Sequence, residues 1–207
     1  MKKFITYVSR QTKQGQGGLS KGLYVSANNR LNTGFEMRYP ITALINAYVK
    51  PKEKIKIIAV YGEDVESYEE NYKLLKEDVK KCQEKIGFIC EYADLKTSKE
   101  ELVDYHLDTY LRLVELIDDG DEVYACTTYG TKPFIIVEFM ALDFIYKARK
   151  NVMIPCIIYG KFVRDDDNVI YDITPLFRMS QISNMLVNQK INNPEKIMRD
   201  LLSISED

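Results

Sequence analysis

Glu122-Val123-Tyr124-Ala125-Cys126-Thr127-Thr128-Tyr129-Gly130-Thr131-Lys132-Pro133-Phe134 is the stretch that decides the fold. Glu122 to Cys126 has a strand pattern, and Phe134 to Ala148 is an apolar run of helical length. Between them stand hydroxyls, a glycine and a lysine, closed by a proline suited to the first turn of a helix. A strand, a polar turn and a helix in that order aim backbone N–H groups, the positive end of a helix dipole and an ammonium at one point. That point is predicted to bind phosphate.

Working outward, strand and helix signals alternate along the chain, which predicts an α/β fold with a mainly parallel sheet. Upstream, Phe4 to Val8 reads as the first strand, followed by a long segment from Ser9 to Gly34 rich in Gly, Gln, Asn and Ser. A connection of that length is usually disordered or functional. A helix is predicted from about Glu36 to Val49 and a central strand from Lys54 to Val60. Val65, Tyr68, Tyr72, Leu75, Val79, Cys82 and Ile86 recur at steps of three and four, the mark of an amphipathic helix. Phe88 to Tyr92 reads as another strand. Thr97 and Ser98, each followed three residues later by Glu, offer a capping box to a helix ending near Asp119-Gly120.

Downstream, the Phe134 helix is apolar around most of its circumference, so it is predicted to be buried on two sides, between its own sheet and either a second subunit or the rest of its own chain. Strands Val152 to Tyr159 and Val169 to Asp172 follow, joined by a charged hairpin-like segment from Lys161 to Asn168. Helical Leu176 to Val187 and Pro194 to Leu202 close the chain. No repeat or linker divides it, so residues 1–207 read as one domain, with a core of about 1–175 and a helical extension of about 176–207.

The 207 residues are 45% hydrophobic and 29% charged, an ordinary globular composition. With 29 Lys and Arg against 31 Asp and Glu the formal charge is -2, so no overall basic field draws the protein to long nucleic acid. Cys82, Cys90, Cys126 and Cys156 are far apart, with a single His to join them, which reads as buried thiols in a reducing cytoplasm rather than a metal site. No apolar run reaches the length of a membrane span, and Met1 to Tyr7 has no signal-peptide pattern. No metal and no cofactor is expected.

In a parallel sheet, ligands sit beyond the carboxyl ends of the strands at the point where strand order reverses. Ser9-Arg10-Gln11, Tyr61-Gly62 and Thr127 to Lys132 are predicted to converge there, the cations and hydroxyls suiting a phosphodiester backbone and Tyr24, Tyr61 and Tyr129 suiting base stacking. The plainer reading makes Thr127 and Thr128 helix caps and Lys132 a solvated first-turn residue. Ala125 stands where a Walker A loop needs Gly and Pro133 where it needs Ser or Thr, so P-loop chemistry is not expected. Gly15, Gly17 and Gly18 do not make a dinucleotide fingerprint. His106, spaced helically with Val103, Tyr110, Leu113 and Ile117, reads as a core-edge residue rather than a base. Asp165-Asp166-Asp167 reads as a solvated turn.

Thr128-Tyr129-Gly130-Thr131-Lys132 resembles the second motif of the CARF family, the Rossmann-like sensor domains of type III CRISPR systems, commonly Thr-Gly-Gly-Thr-Lys, with Tyr129 in place of the first Gly. Ser9-Arg10-Gln11 falls where that family has its first motif. Ile157-Ile158-Tyr159-Gly160-Lys161, a short acidic spacer and Tyr171-Asp172-Ile173-Thr174-Pro175-Leu176 are similar to one CARF subgroup. The resemblance covers most of the chain. It implies a homodimer whose paired motifs cradle a cyclic RNA ring of four or six adenylates. Family members usually carry a C-terminal effector domain, for which the roughly 30 residues after the core leave no room.

Two functions fit that expectation. One is a stand-alone, metal-independent ring nuclease acting preferentially on cyclic tetra-adenylate, with Lys132 stabilising charge on the phosphate and Ser9 orienting the 2′-OH. Thr127, Thr128, Tyr129, Gly130 and Thr131 would cradle phosphates, with Arg10, Gln11, Arg38 and Tyr61 as further ligand contacts. The alternative is a non-catalytic sensor or sequestering module acting on a separate partner, in which the Gln14 to Asn32 loop stays mobile. A weaker third reading is a Rossmann-like enzyme acting on an ordinary nucleotide.

Overall fold

The computed structural model describes residues 1–11, 19–62, 67–163 and 168–203. Two compact units are present, Met1–Ile173 and Thr174–Asp207. The first is an α/β layer structure built on a seven-stranded sheet. Its elements are β1 (Lys2–Tyr7), β2 (Tyr24–Val25), α1 (Ile41–Tyr48), β3 (Lys54–Gly62), α2 (Tyr68–Ile86), β4 (Ile89–Thr97), α3 (Val103–Glu115), β5 (Glu122–Cys126), α4 (Lys132–Ala148), β6 (Met153–Lys161) and β7 (Asn168–Asp172). The second carries α5 (Thr174–Asn188) and α6 (Pro194–Ser203).

The strand order is β2-β7-β6-β5-β1-β3-β4. All neighbouring pairs are parallel except β6 and β7, which are antiparallel. Side-chain alternation gives the sheet two buried faces, as a parallel sheet requires. Phe4, Ile57, Ala59, Tyr124 and Cys156 belong to the core beneath α1 and α2. The intervening Ile5, Ile58, Val123 and Ala125 are equally buried on the other face, which α3 and α4 cover. Rings mark the two layers: Tyr124 packs on Tyr48 of α1 at 4.9 Å, and Tyr7 meets Phe134 of α4 edge-on at 4.8 Å.

From β1 the chain moves outward through β3 and β4, then returns to lay β5 on the opposite side of β1. The reversal of strand order therefore falls between β1 and β5. Thr6 pairs with Cys126 there, so the segments after β1 and β5 leave the sheet side by side.

Three boundaries differ from expectation for identifiable reasons. Helix α1 starts at Ile41 rather than near Glu36. Pro40 disfavours helical geometry in Tyr39, and Met37 instead exchanges backbone hydrogen bonds with Gly22. Strand β4 runs to Thr97, paired with Gly62, so it consumes the residue expected to cap α3. The α3 N-cap is Leu102 without a side-chain bond, and the Ser98 hydroxyl accepts from the Glu100 N–H instead. Within the expected long loop, Tyr24–Val25 pairs with β7, and Leu31 is fully buried. Gly22 lies so close to Asn168 that an added Cβ would overlap the amide at 1.8 Å. Gly15, Gly17, Gly18 and Asp165 to Asp167 lie outside the described residues.

Candidate anion site at the β1/β5 switch point

Four observations build the site from the sheet upward. The segment after β1 is held from below by α2: the Asn71 side-chain amide donates to the carbonyls of Ser9 at 2.7 Å and Gln11 at 2.9 Å, and Ser67 Oγ donates to the Arg10 carbonyl. Ser9 is 2% exposed, and its Oγ accepts from the Gln11 N–H at 3.2 Å. Val8, Ser9, Arg10, Tyr61, Gly62 and Tyr68 line a narrow crevice beside it. Arg10 is oriented by Tyr7, whose phenol oxygen accepts from Nη2 at 2.7 Å and Nε at 3.1 Å. Its Nη1 is turned toward the segment before α3.

The segment after β5 is fixed by a different set of contacts. Thr127 N–H and Oγ1 both donate to the Ile158 carbonyl, at 3.0 and 3.2 Å. Thr128 Oγ1 accepts from the Gly160 N–H at 2.9 Å and lies 3.1 Å from Cys126 Sγ. Tyr129 folds back, its hydroxyl donating to the Arg38 carbonyl at 2.6 Å and its ring meeting Tyr39 edge-on at 5.1 Å. Burial pushes the Tyr129 phenol well above its usual range. This tyrosine anchors the loop.

Gly130 is required by close approach rather than by backbone angle. A Cβ there would lie 2.6 Å from Phe134 Cδ1 and 3.4 Å from Ile135 Cγ1. Phe134 is buried and pinned by Tyr7, so its ring has no room to retreat. Gly130→Ala is expected to cost about 1–3 kcal/mol in an overpacked site, read as a lower urea midpoint; an unchanged midpoint would show that the loop gives way freely.

Thr131 is the N-cap of α4, its hydroxyl accepting from the Phe134 N–H at 3.4 Å. Lys132 follows as an exposed first residue with no ion pair or hydrogen bond among the described residues. The two loops meet on one carboxylate. Glu101 Oε1 accepts from Arg10 Nη1 at 3.2 Å, and Oε2 accepts from Thr131 Oγ1 at 3.2 Å. His106 Nε2 approaches the same Oε2 to 3.1 Å, though without hydrogen-bond alignment; that nitrogen is buried and has no other partner among the described residues.

Of the residues singled out in the sequence, Arg10 and Thr131 thus share a bound anionic group, with Ser9, Gln11 and Lys132 on the same two loops. Others are engaged elsewhere. Arg38 Nη1 pairs with Asp78 at 3.0 Å on α2, and Tyr61 stacks on Tyr68 at 3.7 Å while only 2% exposed. Tyr24 is equally buried, with burial raising its phenol to about 12. Glu101 and His106 were not singled out as site residues: Glu101 reads as a capping-box partner of Ser98, and His106 as part of an apolar stripe. No group of three or more His, Cys, Asp or Glu among the described residues is placed to hold a metal ion, and no described helix is long and apolar enough to cross a membrane.

The chain is similar to CRISPR-associated protein MJ1674 of Methanocaldococcus jannaschii. The two are 26% identical over 128 residues, which take in 54% of this chain and 20% of that protein. The matched stretch is thus about a fifth of the relative's length. No protein-family model matches the chain.

Proposed function

We propose that this chain is a homodimeric, cytoplasmic protein that binds a cyclic oligoadenylate, preferentially cyclic tetra-adenylate, and cleaves it as a ring nuclease in type III CRISPR signalling. The observation that carries this reading is the Glu101 carboxylate held by Arg10 and Thr131 between the two motif loops, with Lys132, whose side chain has no partner among the described residues, at the start of α4. Groups that gather around a carboxylate suit a phosphodiester, because both offer two anionic oxygens to charge-assisted donors. The similarity to a CRISPR-associated protein supports a CRISPR-related role, and the ligand class is what the CARF-like motifs imply.

In the proposed reaction a ribose 2′-oxygen attacks the adjacent phosphorus in line. The new O2′–P bond replaces the P–O5′ bond, the 2′ proton passes through solvent to the leaving 5′ oxygen, and a 2′,3′-cyclic phosphate remains. The protein's part is positioning and charge. Ser9 Oγ, already accepting from Gln11, keeps its own O–H for the ribose. Lys132 meets the charge that builds on the phosphorane. Thr127 and Thr128 act through the backbone they fix, and Arg10 and Thr131 hold the phosphate. Ser9's burial favours the alternative of a sensor, since a residue only 2% exposed reaches the ligand only if the segment after β1 moves.

The dimer has a candidate surface on α3 and α4, which pack against each other. Ile136, Met140 and Phe144, each about half exposed or more, form a stripe along α4, and Val103, Leu107 and Leu111 form another along α3. A continuous apolar face of this kind marks an interaction surface. The double substitution Met140→Glu with Phe144→Glu is expected to convert a dimer to a monomer in sedimentation equilibrium; a wild-type monomer would remove the two-fold cradle. Thermal shift tests the ligand: cyclic tetra-adenylate is expected to raise the melting temperature and AMP is not, whereas protection by AMP alone would favour an ordinary nucleotide enzyme.

A further inference from the structure

We infer that Arg10, Thr131 and His106 form a single two-oxygen anion subsite, and that Glu101 fills it from within until a ligand phosphate displaces it. The inference rests on reading the switch-point loops as an anion site, and it adds His106 as a ligand group and Glu101 as the determinant of affinity. The geometry is that of an occupied site. One carboxylate oxygen takes the Arg10 guanidinium at 3.2 Å; the other takes the Thr131 hydroxyl at 3.2 Å and faces His106 Nε2 at 3.1 Å. These donors come from three separate places in the chain: the segment after β1, the N-cap of α4, and α3. Only an anion placed between them reaches all three.

Each donor is supported independently of Glu101. Arg10 is oriented by two hydrogen bonds to the Tyr7 phenol, and Thr131 by its cap on α4. His106 Nε2 is buried and lacks an aligned acceptor, so the carboxylate satisfies it imperfectly. Glu101 lies in the short segment between β4 and α3, outside any regular element, and its side chain is 39% exposed against 27% for Arg10. A partly exposed ion pair is weak and breaks at little cost. The carboxylate can therefore leave while the donors stay. A phosphate entering beside Glu101 would meet like charge, so ligand entry and Glu101 departure are coupled.

The test uses Glu101→Gln, which keeps size and polarity but removes the charge, and Glu101→Ala, which empties the position. Binding of cyclic tetra-adenylate and of inorganic tripolyphosphate is measured by calorimetry. The chain's single histidine gives one unambiguous set of imidazole signals by NMR. Both variants are expected to bind the anions about five- to tenfold more tightly than wild type, and tripolyphosphate is expected to shift the His106 ring signals. If tripolyphosphate shows this gain and cyclic tetra-adenylate binds to neither form, the ligand assignment falls and the self-filled subsite stands. Anion affinity that is equal or lower in both variants, or His106 signals that do not move on saturation, would overturn the inference.

Discussion

Lys132→Ala is expected to cripple cleavage of cyclic tetra-adenylate, lowering the single-turnover rate by about 100- to 1,000-fold, the range for removal of one preorganised charge-stabilising donor. The size of the effect follows from the residue's situation. Lys132 is the first residue of α4, exposed, and engaged by no other described side chain, so no described residue holds its ammonium away from a ligand. Its charge adds to the positive end of the α4 dipole beside the Thr131 cap. For the same reason the substitution leaves the fold intact, and the melting temperature of the variant should match wild type. Binding weakens less than the rate falls, because Arg10 and Thr131 still hold the phosphate while the charge that develops during reaction loses its partner. Full activity in Lys132→Ala would remove Lys132 from the reaction.

The second large effect concerns Glu138, on the inward face of α4. It is fully buried, neither carboxyl oxygen has a partner among the described residues, and burial raises the group from 4.5 to about 8. Its pKa is higher folded than unfolded, so the folded state retains a proton that the unfolded chain releases. Stability therefore falls as pH rises from about 4.5 to about 8 and changes little from this group above that. The loss across that window is about 3–5 kcal/mol. Glu138→Leu puts an apolar side chain among Phe134, Val137, Ala141 and Leu142 and removes the titration. Urea midpoints at pH 5 and pH 8 check this: the variant should gain several kcal/mol over wild type at pH 8 and much less at pH 5. An equal difference at the two pH values would show that Glu138 is already hydrated or paired.

The sheet was legible because apolar periodicity switches between two and near four along the chain, and a parallel sheet follows from that alternation. The strand–turn–helix from Glu122 to Ala148 was legible because Pro133 and the apolar run from Phe134 mark the helix start, but the cap is Thr131 rather than Thr127 or Thr128, whose hydroxyls are taken by Ile158 and Gly160. Other features depended on partners distant in sequence. Ser98 and Glu101 have capping-box spacing, yet pairing of Thr97 with Gly62 extends β4 and sends Glu101 across to Arg10 and Thr131. Tyr129 has the character of a base-stacking residue, and only the Arg38 carbonyl and the Tyr39 ring explain why it turns inward. Arg38 is likewise claimed by Asp78, a residue 40 positions away.

Glu138 was visible in principle. It shares the helical stripe of Phe134, Ala141 and Ile145, where a carboxylate is out of place, but the all-round apolarity of α4 hides which stripe faces the sheet.

The most direct test of the account is to incubate the purified protein with cyclic tetra-adenylate in excess EDTA and follow the products by mass. A linear di-adenylate ending in a 2′,3′-cyclic phosphate, formed by wild type and not by Lys132→Ala, is the predicted result. Cyclic tetra-adenylate that stays intact while bound to the protein would contradict cleavage and make the chain a sensor.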